Sequence, residues 1–517
     1  MTGDATGAGA EPAPPLNPLV YLPPFLVIAV VLYRLAASDG YVAIEDDAFY
    51  YLLVARNFVE TGASAAMPGV LTNGYHPLWF GLVALWGWFT GFDLLALRGL
   101  EIALLLAGFL TAIWALMVRS FLHAAAVTLV VYAFCDETTL VGMETSLLFP
   151  AVALFVGLVL RADRAAGVRD GVWVFLAAGL VIGARLDAAL FVLPVLALLP
   201  APARLRLGVF AALAVTGAVY LGVNHVLFDS ALPVSGAIKS LGAPSVNLKF
   251  AVQLVLQFRE LPVGFFRGDF VIAPAILAVI GAGLIVASRK HPRAQNRSMK
   301  TARRLLAGFT LGYLLFAAKL LFGSTWYVWI WYGYPGFMLA LAILALLHAL
   351  VTAAHIRRLA YASLALLFTA FNIGTLVAPR VETDFALMNR VFAGMVEEAV
   401  GRVPVAMGDR AGSFAWYLDG GLYQLEGLVN SADYLPYLAS RDDLRPLLCA
   451  RGVPHVVDYE EPLGDYDEHR IEIFGPVITS FRGPSLTVRR SEQILAYTGE
   501  DMRFDDNTVY LWKLDCP

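Results

Sequence analysis

The stretch Ile44-Glu45-Asp46-Asp47-Ala48-Phe49-Tyr50-Tyr51 puts three carboxylates in a row, soon after the first long apolar run of the chain. A carboxylate held beside a hydroxyl can take its proton as the oxygen attacks, and a second acid can orient the first. Asp46 and Asp47 are therefore candidate catalytic residues. The plainer reading is an acidic helix start, in which Asp46 caps the helix and both aspartates gain from its N-terminal dipole. That reading leaves three acids beside lipid unexplained, where charge is costly and marks function by default.

Four other stretches carry groups able to bind a charged substrate. Thr72-Asn73-Gly74-Tyr75-His76-Pro77 reads as a turn at Asn73-Gly74 that leads into a helix with Pro77 at its first position. The turn does not explain Tyr75 and His76 at the junction. Glu144 lies in Gly142-Met143-Glu144-Thr145, another expected outside loop. Arg185 and Asp187 are a couple able to pair at a short turn, and Lys239 ends the run Leu232 to Lys239. Lys239 also reads as a solvated loop charge. Trp326, Tyr327, Trp329, Trp331 and Tyr332 form an aromatic run. It reads either as an interfacial belt or as a contact for a prenyl chain or sugar ring.

The elements that must hold these groups are set by composition. The chain has 517 residues, 59% hydrophobic and 15% charged, whereas soluble domains carry about 25% charged residues. Apolar runs recur from Leu19 to Ala378, several of them long enough to cross a hydrocarbon core of about 30 Å as helices. The spacing and charges predict an all-α polytopic membrane protein with about eleven spanning helices. The expected organisation is a disordered cytoplasmic tail over 1–18, a transmembrane catalytic domain over 19–379 and a soluble domain over 380–517.

Basic loops fix the orientation. Arg289 to Arg304, Arg357 with Arg358, the cluster Arg161, Arg164 and Arg169, and Arg204 with Arg206 belong inside. Parity then places 38–96, 136–145, 226–270 and 380–517 outside. Two choices follow. The run Pro77 to Thr90 is about one turn short of a comfortable span and lies on the outer face. The run 171–200 is split into two short helices that meet at Arg185. After about Arg380, Phe385, Met388, Phe392, Met395, Val396 and Ala399 recur at helical spacing. The β-like runs Val403–Met407, His455–Tyr459 and Val509–Leu514 follow, which suggests a small extracytoplasmic α/β domain. Within it, Asp409, Arg410 and Gly412 follow an expected strand and read as a turn or as part of a site. Cys449 and Cys516 both fall in this segment, as a disulfide or as two thiols.

Together these motifs resemble the C-type glycosyltransferase superfamily, polytopic enzymes that take sugar from a polyprenyl phosphate on the outer face. The acidic pair after helix 1 is that superfamily's signature position. Thr72 to Trp79 looks like its bacterial and archaeal members. The resemblance covers about 30–380 in architecture, but only the motif stretches in residues. By resemblance to the aminoarabinose transferase branch, Asp46 falls on the catalytic aspartate, and Asp47 replaces a Glu. His76 falls on a phosphate-binding Lys, and Tyr75 on a metal-ligating Glu. That last departure leaves the metal open: a divalent cation, if used, would draw on Asp46, Asp47 and Glu144.

The resemblance implies a polyprenyl-phosphate sugar donor and inverting displacement with Asp46 as base. Arg185, Asp187, Lys239 and Trp326 would bind substrate beside Tyr75, His76 and Glu144. His76, Arg185 and Lys239 suit the task as electrostatic clamps on a leaving phosphate. Membrane lipids are the expected surroundings, in a bacterial inner membrane. The acceptor is expected to be an envelope glycan, lipid or protein. A membrane transporter or lipid flippase shares the polytopic architecture, but would place its ionisable residues near the midplane rather than in outer loops. Short basic tracts between apolar runs argue against nucleic acid. The absence of a phosphate-cradling Gly-Lys-Ser/Thr loop, a paired-His helix or a nucleophile elbow argues against ATP-driven transport and serine hydrolysis.

Overall fold

In lipid a backbone N–H has no water to bond, so each apolar run must close its hydrogen bonds within itself. The computed structural model describes residues 17–37, 44–135, 139–162, 167–259, 272–351, 353–377, 384–460, 463–475, 479–498 and 508–517. The first 16 residues of the expected tail and the expected 379/380 boundary lie outside that set.

Helix α1 (Leu22–Ala36) opens on Pro23 and Pro24, where the missing N–H groups would be unsatisfied anyway. The chain continues through α2 (Asp46–Thr61), the strand pair β1 (Ala65–Met67) and β2 (Val70–Leu71), α3 (Pro77–Thr90), α4 (Leu94–Ala115), α5 (Phe121–Tyr132), α6 (Thr145–Ala162) and α7 (Val168–Ala184). Arg185 is extended, with φ −149° and ψ 113°, and ends α7. A single 3-10 turn over Leu186–Ala188 then leads into α8 (Ala189–Leu198), so 171–200 breaks where charge parity required it. Next come α9 (Ala203–Phe228), α10 (Val234–Lys239), α11 (Leu248–Arg259), α12 (Ile272–Arg289), α13 (Arg297–Phe322), α14 (Pro335–Leu350) and α15 (Ala354–Val377).

Among the described residues, seven helical segments are long and apolar enough to cross a membrane, and four further apolar helices are shorter. Pro77–Thr90 is one of the short ones. Leu207, Val215, Val219 and Val226 of α9 stand exposed, an apolar face that suits lipid and not water. The chain is an integral membrane protein by this measure. Helix α4 packs on α6, α13 on α8 and α14, and α15 on α5. Phe109, Phe149, Phe155 and Phe191 fill the core they share.

The chain ends in α16 (Asp384–Val400), β3 (Val405–Met407), α17 (Ala411–Tyr417), β4 (Leu422–Gln424), β5 (His455–Glu460), β6 (Glu468–Glu472), β7 (Ser485–Arg489), β8 (Gln493–Thr498) and β9 (Thr508–Lys513). Five strands form one sheet in the order β4-β3-β5-β9-β8, and β6 pairs with β7 separately. β3 runs parallel to β4 and β5, while β9 is antiparallel to β5 and β8. Met388, Phe392 and Val396 of α16 are buried, and Ala399 is not. Cys449 and Cys516 are joined, with Cα atoms 5.5 Å apart.

A second apolar core joins this segment to the front of the chain. Ala48, Phe49, Leu52 and Leu53 of α2 and Trp79 of α3 share it with Phe392, Phe414, Val457 and Leu511. The aspartates at the start of α2 are thereby set against the C-terminal segment.

Candidate active site

Glu45 occupies the N-cap of α2 with extended backbone and no side-chain cap bond, so Asp46 is the first helical residue and not the cap. Its carboxylate instead accepts hydrogen bonds from Gly412 N at 2.8 Å, Ser413 N at 2.7 Å and Ser413 Oγ at 2.6 Å. Gly412 is required by this approach: a Cβ there would lie 2.2 Å from the Asp46 carbonyl oxygen. Burial raises the Asp46 carboxyl above its ordinary value, although the Ser413 and Gly412 donors pull it down. Asp409 and Arg410 form the turn before α17, with Arg410 left-handed at φ 57°.

Beside this contact lies a cavity of about 630 Å³. Asp46, Asp47, Tyr50 and Lys239 line one side of it, and Trp326, Trp329 and Trp331 another. Asp409, Glu426 and Asp458 close it from the C-terminal segment. Burial pushes the Asp47 carboxyl up to about 7, against the attraction of Lys239 and with the help of Asp46, Asp409 and Glu45. For Lys239, burial works against the charged form, but Tyr332 and Asp47 outweigh it and hold the ammonium above its ordinary value. Lys239 Nζ lies 3.4 Å from Tyr332 Oη and 5.8 Å from the Trp326 ring centre. Lys239 is thus the last residue of a helix and half-buried, not a solvated loop charge.

Lys239 is held there through Asn73. Asn73 Nδ2 donates to Ser230 O and Leu232 O at 3.3 and 3.2 Å, and Oδ1 accepts from Val234 N at 3.0 Å. The Asn of the Asn73-Gly74 turn therefore fixes the entry of α10.

A smaller cavity of about 60 Å³ shares Asp47, Tyr50 and Lys239 with the first and adds Tyr75, His76, Glu144 and Arg185. Arg185 pairs with Glu144, reaches Asp187 Oδ1 at 3.0 Å, and sits over the rings of Tyr332 and Tyr334. Asp187 also accepts from Lys319 at 3.3 Å and from Tyr334 Oη at 3.2 Å. Glu144 accepts from Tyr51 Oη at 3.0 Å. Tyr75 stacks on Phe80, with ring centres 4.0 Å apart, and its hydroxyl meets Ser64 Oγ at 2.7 Å.

The surroundings of His76 disfavour its cationic form. Burial drives its pKa down to about 4, and the pull of Glu144 does not restore it. Its Nδ1 accepts from Leu186 N at 3.2 Å, which leaves the proton of the neutral ring on Nε2, as a donor.

The three carboxylates that a divalent cation, if used, would draw on are not grouped for one. Among the described residues no three of His, Cys, Asp and Glu are grouped to hold a metal ion. Glu144 is turned to Arg185 and Tyr51, away from Asp46, whose own carboxylate is filled by three donors.

Tyr50, Glu426 and Asp458 are site residues that sequence reasoning missed. Glu426 is 3% exposed; its Oε2 accepts from Gln424 Nε2 at 3.2 Å, while Oε1 has no partner among the described residues. Burial, with Asp409 and Asp47 nearby, holds its carboxyl well above the ordinary value. The only local signal was an acid inside the apolar run Leu425-Glu426-Gly427-Leu428.

No family model matches the chain, and no curated protein matches it. Among solved structures it is similar to ArnT from Cupriavidus metallidurans bound to undecaprenyl phosphate. The TM-score is 0.49 and the identity 13%, over 94% of this chain and 98% of that one. It is also similar to the apo state of the same protein, with a TM-score of 0.44 and 15% identity over 85% and 92% of the two chains.

Proposed function

We propose that the protein is a membrane glycosyltransferase that moves a sugar from a polyprenyl-phosphate donor to an acceptor hydroxyl. The observation that carries this reading is the shared wall of the two cavities, where Asp47 and Lys239 face both spaces. A sugar held across that wall has a base on one side of its anomeric carbon and a cation at its phosphate. The sequence motifs around Asp46 and His76 supply the donor class by their resemblance to the C-type transferases.

The acceptor hydroxyl lies in the larger cavity and gives its proton to Asp47 as its oxygen bonds to the anomeric carbon. The bond from that carbon to the phosphate oxygen breaks, and its electron pair leaves with the polyprenyl phosphate. Lys239 meets the growing charge, and His76 donates from Nε2. A single displacement of this kind inverts the anomeric centre. Asp47, with its carboxyl near 7, is poised between accepting and releasing a proton at neutral pH. Asp46, the base expected from the sequence, is a positioning residue in this mechanism, because three donors occupy its oxygens. Arg185 is already balanced by Glu144 and Asp187 and acts mainly by shaping the phosphate pocket. Trp326, Trp329 and Trp331 offer faces for a sugar ring or prenyl unit. Glu426, Asp409 and Asp458 face the acceptor as hydrogen-bonding groups.

We place this site, and residues 380–517, on the extracytoplasmic side. The Cys449–Cys516 bond suits an oxidising compartment, and the charge of the inner loops supports the same orientation.

The test is transfer by purified, reconstituted protein from a set of polyprenyl-phosphate sugars to a mixed acceptor pool, followed by the stereochemistry of the product. Inverted product formed by wild type and lost in Lys239→Met supports the reading. Movement of lipid or solute across vesicles with no sugar transfer from any donor would put a transporter in its place.

A further inference from the structure

The far end of the helix bundle holds a polar cavity that the transferase reading does not use. Helices α4, α6 and α14 begin near Arg98, Glu144 and Tyr334 beside the active site and end at Ala115, Ala162 and Leu350. The 22 residues of α4 span about 33 Å at the rise of an α-helix. Between those distant ends lies a cavity of about 540 Å³, with Arg119, Arg357, Arg358, His123, His348 and Tyr361 in its wall. None of its described lining residues is acidic.

Three features of the cavity point to an anion. Three arginines line one space, and guanidinium forks match phosphate oxygens in pairs. Two helices also start there: Ser120 is the N-cap of α5, and Ala354 opens α15, so both positive helix ends favour negative charge. The third feature is a buried group without a partner. The His123 ring runs nearly parallel to those of His348 and Tyr361, with centres 4.8 and 4.0 Å away and planes within 10° and 6°. His348 Nδ1 and Tyr361 Oη meet at 2.7 Å. His123 is 3% exposed and its Nε2 has no hydrogen-bond partner among the described residues, although a buried ring nitrogen ordinarily finds one.

We propose that this cavity binds a phosphate ester at the membrane face opposite the active site. The phosphate oxygens lie among Arg119, Arg357 and Arg358, and the His123 ring meets one of them through Nε2. The chemistry is the same whether the phosphate belongs to the headgroup of an anionic bilayer lipid or to a soluble compound. The position at the ends of apolar helices gives a lipid headgroup direct access, since basic residues there attract anionic lipid. The site is independent of the sugar-transfer reading and stands or falls without it.

The experiment uses the full chain. In one arm, protein is reconstituted in vesicles of phosphatidylcholine with phosphatidylglycerol, extracted, and examined by native mass spectrometry for retained phosphatidylglycerol. In the other, inorganic phosphate is titrated against thermal stability in neutral detergent, with chloride at matched ionic strength as control. Arg357→Gln and the exposed Arg358→Gln are compared with wild type, their fold checked by size exclusion and melting temperature. Loss of one charge-assisted contact should weaken binding about tenfold or more. Retention of phosphatidylglycerol that falls in both variants supports the site with a lipid as its source. Stabilisation by phosphate without lipid retention, again reduced in the variants, supports it with a soluble source. Failure of both probes, or equal binding by wild type and variants, overturns it.

Discussion

Replacing Asp47 by Asn is expected to raise stability while it removes sugar transfer. Burial holds the Asp47 carboxyl near 7, against an ordinary value of 3.8. Because the folded value is the higher one, the stability linked to this group is complete below about pH 4 and is lost as pH rises through 7. At about 1.36 kcal/mol per pH unit, the ionised form carries a penalty on the order of 4 kcal/mol above pH 7. Water reaching the half-buried carboxylate should reduce the measurable gain in Asp47→Asn to about 1–3 kcal/mol. The gain should appear between pH 4 and 7 and stay constant above that range. Activity should go the other way, because loss of a general base costs about 10²–10⁴-fold in turnover. In wild type, transfer should rise about tenfold per pH unit up to 7 and then level off, with no second limb from His76 in that range. Asp46→Asn gives the contrast: it puts an amide against three donors and should lose about 1–3 kcal/mol of stability. The assay pairs transfer from a polyprenyl-phosphate sugar with thermal melts from pH 5 to 9. An Asp47→Asn protein with near-normal turnover, or one that melts lower than wild type at pH 8, refutes the reasoning.

Lys239→Met should lower turnover about 10²–10³-fold, as removal of one preorganised charge from a transition state commonly does, with weaker binding of polyprenyl phosphate; equal kinetics in a stable variant would count against it. Gly412→Ala places a methyl group 2.2 Å from the Asp46 carbonyl oxygen and should lose about 1–3 kcal/mol to overpacking, read as a lower melting temperature with reduced transfer. Reduction of the Cys449–Cys516 bond, which closes a separation of 67 residues, should destabilise the chain by about 4 kcal/mol on chain-entropy grounds; melts with and without reductant, beside Cys449→Ser, would show it.

Much of the architecture is written in short stretches of sequence. Apolar runs become helices because lipid leaves the backbone no other partner, and the break at Arg185 follows from the parity of basic loops. The strands β3, β5 and β9 fall on the three runs of β-forming residues picked out before, and Asn73-Gly74 makes its turn before Pro77. All of these depend on neighbours within a few residues.

The chemistry of the site depends on distant ones. Asp46 looked like a helix cap and a base, yet its carboxylate is claimed by Gly412 and Ser413, 366 and 367 residues further on. His76 looked like a cation, but burial lowers its pKa and favours the neutral ring. Glu426 drew no notice in the sequence, and the fold brings it into the same cavity as Asp47. Sequence by itself determined where the helices lie and which residues could react. Tertiary structure decided which of them are ionised and which are already paired, because desolvation and charge pairing are set by groups that only folding brings within a few ångströms.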